Sequence, residues 1–329
     1  MLKHLEDAPS AVFMGVQVYT WGLYCFFGAV LYLIFLHVRC KGRVKDGTAA
    51  LCGVMSLALG FAFSRLFYCL FDARMRVFDE LADGSLSFGE YLAMVLDPFS
   101  GGFSMFGALF GACLGACCAA HILKTDRKAL LDVLAGCLML LVAAERLGEG
   151  TLEDFGISRP LSQKAGQWDL FVIHGEYDDC IATYMLESLT AVILFVLFQW
   201  HLGRKRAGGE TFVFALLLFG LTQVLLESLR FDQHMRFSFV GVQQLLAFGC
   251  AGGAMLAYAF RLRKKRPGSR LFLFAVLLIP LTVGALVGLE FMIDRSGVSK
   301  LLLYGIYILL LAFFGWTALR VRARAEDAA

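Results

Sequence analysis

Proline and charged residues are scarce in this sequence. Of its 329 residues only 5 are proline, and charged residues make up 17% of the chain against 59% that are hydrophobic. So few charges cannot cover a water-soluble domain of this size, and so few prolines leave long stretches able to form helices. Together with a mean hydropathy of +0.71, this excludes an ordinary soluble protein and predicts an all-α polytopic membrane protein.

Metal-ligand and disulfide patterns are also missing. Nearly all of the ten cysteines lie inside hydrophobic segments or at their ends, and Cys117 and Cys118 are adjacent rather than spaced as metal ligands are. Only Cys180 lies near the end of a long polar loop. We therefore expect no disulfide framework, no metal and no cofactor.

Hydrophobic segments long enough to cross a bilayer, about 20 residues each, dominate what is present. Nine such segments can be drawn, at about 12–38, 49–71, 100–123, 129–144, 181–201, 211–229, 237–260, 271–292 and 300–319. The fourth is the shortest. The first has no basic region before it and no small-residue cleavage site, so we expect a retained helix rather than a signal peptide.

The basic residues predict the orientation of these helices. Of the 30 lysines and arginines, 19 fall on alternate connections and on the tail, at 39–45, 124–128, 204–206, 261–270 and 320–324. The positive-inside rule puts these segments in the cytoplasm, with the N-terminus outside and the C-terminus inside. The long loops 72–99 and 145–180 then face outward. Anionic lipid headgroups account for the basic clusters, so we expect no nucleic-acid partner.

The basic stretch RLRKKRPGSR at 261–270 is the sharpest internal boundary of the chain. It predicts a membrane core over 1–260, a cytoplasmic linker over 261–270, and an appended hairpin with a basic tail over 271–329. The predicted fold is thus about nine transmembrane helices, with a seven-helix core and a C-terminal helical hairpin.

Three arginines lie in or next to the predicted helices near one membrane face: Arg65, Arg146 and Arg230. A charge within the bilayer is costly, so each should be paired or face a cavity. Arg65 could instead extend toward the interface, and Arg230 could pair with Glu227. Together they could line one anionic pocket at the depth of lipid headgroups, since the guanidinium fork binds phosphate well.

The stretch GGFSMFGALFGACLG at 101–115 suggests a second feature of that face. Gly101, Gly102 and Ser104 precede a helix whose free backbone N–H groups could bind an anion such as phosphate. The later glycines are spaced four apart, which is typical of close helix–helix packing. These are Gly107, Gly111 and Gly115.

With these features in place, the chain resembles the prolipoprotein diacylglyceryl transferase family over roughly residues 15–260. Four stretches carry the resemblance: TWGLYCFFG at 20–28, GGFSMFGALFG at 101–111, ERLGEGTLEDFG at 145–156, and ESLRFD followed by GVQQLLA at 227–247. The residues that match family motifs are Arg146, Gly148, Glu153, Gly156, Glu227, Arg230 and Gln244. The resemblance implies a bacterial cytoplasmic-membrane enzyme that transfers diacylglycerol from phosphatidylglycerol to the lipobox cysteine of prolipoproteins.

Three positions depart from the family pattern. The family histidine of the glycine-rich stretch falls on Phe106, which cannot carry a proton, and the tyrosine of the first helix falls on Trp21. The signature asparagine falls on Glu149. The Tyr-Glu pair of the fifth segment survives as Tyr184, with its acid displaced to Glu187.

The resulting site hypothesis assigns catalysis to Arg146, Glu149 and Arg230, with the arginines stabilising a departing phosphate and Glu149 as the candidate base. The candidate substrate-binding residues are Arg65, Gly101, Gly102, Ser104, Glu153, Gly156, Glu227 and Gln244. The expected partners are phosphatidylglycerol or another anionic phospholipid and a lipobox segment.

Three functions remain open on the sequence. The first is a membrane lipid transferase, and the second is a non-catalytic relative that binds lipid or lipoprotein. A transporter is the third, although no broken-helix pair or inverted repeat supports it.

Overall fold

The computed structural model consists almost entirely of helices. It describes residues 11–13, 16–71, 83–96, 102–152, 156–161, 171–174, 179–204, 207–231, 236–237 and 240–326. The helices are α1 (Thr20–Cys40), α2 (Thr48–Phe71), α3 (Phe88–Leu96), α4 (Met105–Ile122), α5 (Arg127–Glu149), α6 (Thr183–Leu202), α7 (Glu210–Leu229), α8 (Val242–Lys265), α9 (Arg270–Arg295) and α10 (Lys300–Glu326).

Every one of the nine predicted hydrophobic segments forms a helix, and eight of them are long and apolar enough to cross a membrane. The chain is therefore an all-α polytopic membrane protein. The ninth, α5, is not among those eight although it has 23 residues. Much of α5 is buried against other helices, including Asp132, Arg146 and Glu149. A helix enclosed by protein does not need the apolar surface that lipid contact demands.

Helix α3 lies in the long loop 72–99 and was not predicted. Its first turn is closed by a capping box, in which Ser87 N donates to Glu90 Oε2 at 2.8 Å and Glu90 N donates to Ser87 Oγ at 3.3 Å. The Ser-x-x-Glu spacing in the sequence is the signal that could have found it.

Within the described residues, three antiparallel two-stranded hairpins accompany the helices, and none was predicted. They pair β1 (Ala11–Phe13) with β2 (Val16–Val18), β3 (Val172–His174) with β4 (Asp179–Ile181), and β5 (Arg236–Phe237) with β6 (Val240–Gly241). Strands of two or three residues are too short to show the alternation by which a strand is identified in a sequence.

The chain divides into two compact units. The first comprises Met1–Phe212 and Leu229–Met235, and the second comprises Val213–Ser228 and Arg236–Ala329. The second unit thus holds most of α7 together with α8, α9 and α10. The division predicted at 261–270 rested on charge alone and remains a prediction about domain organisation.

Within the first unit, α4 packs closely on α2 through its glycines. A Cβ on Gly107, Gly111 or Gly115 would collide with the α2 carbonyl oxygens of Phe63, Leu59 and Met55 respectively. Backbones that approach this closely exclude any side chain between them. The packing interpretation of the three spaced glycines is therefore confirmed.

Candidate functional site

Two arginines and two glutamates form a buried ionic cluster in the first unit. Arg146 Nη1 donates to Glu149 Oε1 at 2.6 Å, and Arg146 Nε lies 2.7 Å from Glu187 Oε2. Arg230 Nη1 donates to Glu149 Oε2 at 2.9 Å and to Glu187 Oε2 at 3.1 Å. Each carboxylate therefore bridges both arginines, which are 1% and 2% exposed.

Local backbone pairing holds the four side chains in place. Arg146 and Glu149 lie one turn apart at the end of α5, and Glu187 lies in the first turns of α6. Arg230 follows α7 and forms a β-bridge with Ser158. The segment around Ser158 also pairs with the end of β4, just before α6, because Ser158 N donates to the Ile181 carbonyl at 2.9 Å.

Gly156 completes this arrangement beside Glu149. Its φ of +60° lies in the left-handed region, and a Cβ there would come within 2.6 Å of Tyr184 Cβ and 3.3 Å of Glu149 Oε2. Its carbonyl accepts from Tyr184 N at 2.9 Å. The signature glycine therefore permits close contact between the loop after α5 and the start of α6.

Glu145 adds a third carboxylate at the edge of the cluster. Its Oε2 lies 3.5 Å from Arg146 Nε, and its side chain is 25% exposed against 0% for that of Glu187. Three carboxylates and two guanidinium groups carry a formal charge of −1. The arginines already form ion pairs with the protein's own carboxylates. An incoming phosphate therefore has to displace these carboxylates or bind the arginines together with them.

The sequence predicts Arg146, Glu149 and Arg230 in one site, and in the structure Glu149 contacts both arginines. Glu187, whose carboxylate also contacts both arginines, was not among the predicted site residues. The available signal was the displaced acid three residues after Tyr184, which is the spacing that keeps two side chains on one helix face.

Arg65 and the glycine-rich stretch form a neighbouring group. Arg65 Nη1 donates to the Gly102 carbonyl at 2.6 Å, and its guanidinium lies 5.5 Å from the Phe103 ring centroid. Gly102 has φ +75°, and a Cβ there would collide with the ring of Tyr68. Ser104 caps α4, since its Oγ accepts from Gly107 N at 3.3 Å. A serine side chain therefore caps the N-terminus of α4.

An apolar cavity of about 430 Å³ adjoins the cluster between α1, α2, α4 and α5. Glu145 and Met105 line its wall, and both contact Arg146, which donates from Nη2 to Met105 Sδ at 3.1 Å. The opposite end is closed by Tyr32 and Ser56, whose hydroxyls are 2.6 Å apart. Tyr32 lies three helical turns beyond Trp21 in α1, so the cavity extends roughly 16 Å along the helix.

Two predicted site residues lie in the second unit. Gln244 Nε2 donates to Glu290 Oε1 at 2.6 Å and to Tyr307 Oη at 2.7 Å. Glu227 lies near the end of α7. Gly101 and Glu153 fall outside the described residues, so their predicted roles stay predictions.

The three positions that depart from the family pattern, Phe106, Trp21 and Glu149, lie in different surroundings. Phe106 is buried in the first turn of α4, and Trp21 lines the cavity with its ring stacked on Phe103 at a centroid distance of 5.8 Å. Only Glu149 of the three lies within the ionic cluster.

The described part of the chain thus defines a multi-pass membrane protein with a buried ionic cluster next to an apolar cavity. The sequence profile described as prolipoprotein diacylglyceryl transferase matches residues 9–260, more than three quarters of the chain. The chain therefore belongs to the prolipoprotein diacylglyceryl transferase family, a family of transferases in lipoprotein biosynthesis with lipid and lipoprotein substrates. No curated protein matches the sequence. Helices α9 and α10 lie beyond the matched residues.

Proposed function

We propose that this protein transfers a diacylglyceryl group from phosphatidylglycerol to a cysteine of a prolipoprotein or a related acceptor. The observation that carries the proposal is the contact between the signature arginine and an apolar cavity, through Glu145 and Met105. A site that binds a phospholipid must provide an apolar space for an acyl chain and, beside it, a polar group for the headgroup.

The proposed step forms a bond between the cysteine sulfur and the glycerol carbon that carries the phosphate. The carbon–oxygen bond to the phosphate breaks, its electron pair stays on the phosphate oxygen, and glycerol phosphate leaves. Arg146 and Arg230 would stabilise the charge on that leaving group. The thiol proton passes to a base, for which Glu149 is the candidate. Glu149 accepts hydrogen bonds from both arginines, so taking a proton requires at least one of these contacts to open.

A second candidate function is lipid or lipoprotein binding without transfer. Two observations favour it. Phe106 is buried where the resemblance places a histidine, and both arginines of the cluster are matched by carboxylates. A relative that kept the cavity and lost the proton-transfer group would bind a substrate without converting it.

For the cellular setting we propose the bacterial cytoplasmic membrane, with the N-terminus outside and the C-terminus in the cytoplasm. The support is the distribution of basic residues on alternate connections. In this orientation the ionic cluster lies near the outer face, where the cysteine of a secreted prolipoprotein would arrive.

The test is release of glycerol phosphate from phosphatidylglycerol labelled in its headgroup glycerol, using purified full-length protein and a lipobox peptide. Release that requires the peptide, and that is lost in Arg146→Lys, supports the transferase. Arg159→Lys is the matched control, because the guanidinium of Arg159 packs on Phe231, 4.8 Å from its ring centroid. Lipid binding without release supports the second candidate, and neither binding nor release refutes both.

A further inference from the structure

The second unit carries a concentration of basic residues at the end where α8 finishes, α9 begins and α10 finishes. Six lysines and arginines lie within 261–270 without an acidic residue, and three more lie within 320–324, before Glu326 and Asp327. Lys265 Nζ donates to the Ala325 carbonyl at 2.8 Å, so the two basic segments meet. We call these two segments the basic surface.

Most of the basic surface is not used within the protein. In the first unit, Lys45 Nζ donates to the Leu123 carbonyl at 3.1 Å and Arg43 Nη2 to the Leu202 carbonyl at 3.3 Å, at the ends of α4 and α6. Basic side chains of this kind satisfy helix C-termini. On the basic surface, six exposed side chains form neither an ion pair nor a side-chain hydrogen bond with any described residue: Arg263, Lys264, Arg266, Arg270, Arg320 and Arg324.

Aromatic rings lie directly beside two of these exposed arginines. The guanidinium of Arg263 lies 5.0 Å from the ring centroid of Phe272, which packs on Phe260 at 5.8 Å. The guanidinium of Arg320 lies 4.7 Å from the ring centroid of Trp316. Phe260 and Trp316 are more than half exposed, at 56% and 54%, on helices that face lipid. The basic surface therefore holds two sets of a cation and an exposed ring, one joining α8 and α9 and one on α10.

This arrangement matches an anionic amphiphile. A guanidinium binds a phosphate through two parallel hydrogen bonds, and an exposed ring at the membrane interface contacts acyl chains. An acidic protein or a nucleic acid would match the cations and leave the rings without a partner. Basic clusters between membrane helices bind anionic lipid headgroups, and two sets offer places for two phosphates.

We propose that the basic surface is a binding site for a phospholipid with two phosphate groups, such as diphosphatidylglycerol. One phosphate binds at Arg263 and the other at Arg320, with the acyl chains against Phe260 and Trp316. This lipid is a ligand of the last three helices and is separate from any substrate, so the inference does not depend on the proposed function.

The two phosphates give such a lipid an advantage over a lipid with one. Once the first phosphate is bound, the second is held nearby by the linking glycerol, so its binding is intramolecular. Two phosphatidylglycerol molecules carry the same charge and must bind independently. The comparison at equal phosphate concentration therefore separates a defined site from general attraction to negative charge.

The experiment is native mass spectrometry of the full-length protein in detergent, which counts the lipid molecules retained by each chain. We expect one diphosphatidylglycerol per chain, with an apparent Kd at least about tenfold lower than that of phosphatidylglycerol at the same phosphate concentration. Equal retention of the two lipids would overturn the proposal, because charge alone would then explain the binding.

Two variants test the location of the site. Arg263→Gln and Arg320→Gln each remove one cation and should weaken diphosphatidylglycerol about fivefold, the effect of one basic residue at an anionic lipid surface. Arg204→Gln is the matched control, because Arg204 follows α6 in the first unit and its guanidinium lies 3.7 Å from the ring centroid of Trp200. Equal weakening by the control would place the lipid elsewhere and refute the site.

Inorganic polyphosphate tests the role of the acyl chains, since it carries phosphates without them. At equal phosphate concentration we expect it to leave the bound diphosphatidylglycerol in place. Displacement of the lipid would refute the phospholipid assignment and make the basic surface a site for a soluble polyanion.

Discussion

Replacing Glu187 by glutamine tests whether the ionic cluster stabilises the first unit. Glu187 has a fully buried side chain and lies 2.7 Å from Arg146 Nε and 3.1 Å from Arg230 Nη1. Glutamine keeps the shape and one acceptor oxygen but removes the negative charge. Breaking a buried ion pair from one side costs about 3–5 kcal/mol. Since Glu149 still bridges both arginines, we expect the lower end, about 3 kcal/mol.

The assay is equilibrium unfolding in mixed micelles, followed by far-ultraviolet circular dichroism. About 3 kcal/mol corresponds to roughly a 100-fold change in the unfolding equilibrium constant, which is well resolved. Glu145→Gln is the matched control, because its ion contact to Arg146 is long, at 3.5 Å, and its side chain is 25% exposed against 0% for that of Glu187, so we expect a smaller loss. Equal losses in the two variants would refute the argument that burial and bridging make Glu187 the stronger contributor.

Three further predictions follow from single positions. Gly102→Ala should destabilise the protein by about 1–3 kcal/mol more than Gly84→Ala. Both glycines have positive φ, but only at Gly102 does a Cβ meet a ring; thermal unfolding measures the difference. Phe106→His alone should not produce transfer in a cell that lacks its own transferase, because catalytic groups act as a unit; lipidated prolipoprotein in that cell would contradict this. Ser85→Cys should react with an impermeant maleimide from outside and Lys264→Cys only after lysis, and the reverse labelling would invert the topology.

The helices could be predicted well because hydrocarbon leaves few alternatives. A membrane-spanning segment must form all of its backbone hydrogen bonds internally and expose apolar side chains to lipid. Both requirements can be recognised in the sequence as a long apolar run. The agreement is close for α6, predicted at 181–201 and found at Thr183–Leu202. The agreement is poorest for α5, whose composition is set by contact with other helices rather than with lipid. Its predicted span, 129–144, ends before Arg146 and Glu149, whereas the helix covers Arg127–Glu149.

The candidate site was predicted in part. The order of motifs assigned Arg146, Glu149 and Arg230 to one site, but which groups pair with which depends on tertiary contacts that no spacing reports. If Arg146 and Arg230 shared one anionic ligand, as the sequence suggests, the losses on replacing them would be non-additive. The structure shows that they already share Glu149 and Glu187. Coupling between the arginines is therefore expected with or without a lipid, and only measured lipid affinity distinguishes the two.

The hydrogen bonds of Gln244 to α9 and α10 have a consequence for biogenesis. Glu290 and Tyr307 are buried and satisfy an amide that belongs to the family-matched segment. A chain that has inserted only as far as residue 260 holds this amide without those two partners. In a bilayer an unsatisfied polar group is costly, so α8 reaches its final packing only after the last helix has been synthesised and inserted. We therefore expect a chain that ends at residue 260 to stall at this step, because α9 and α10 supply the hydrogen-bond partners that α8 needs for its final packing.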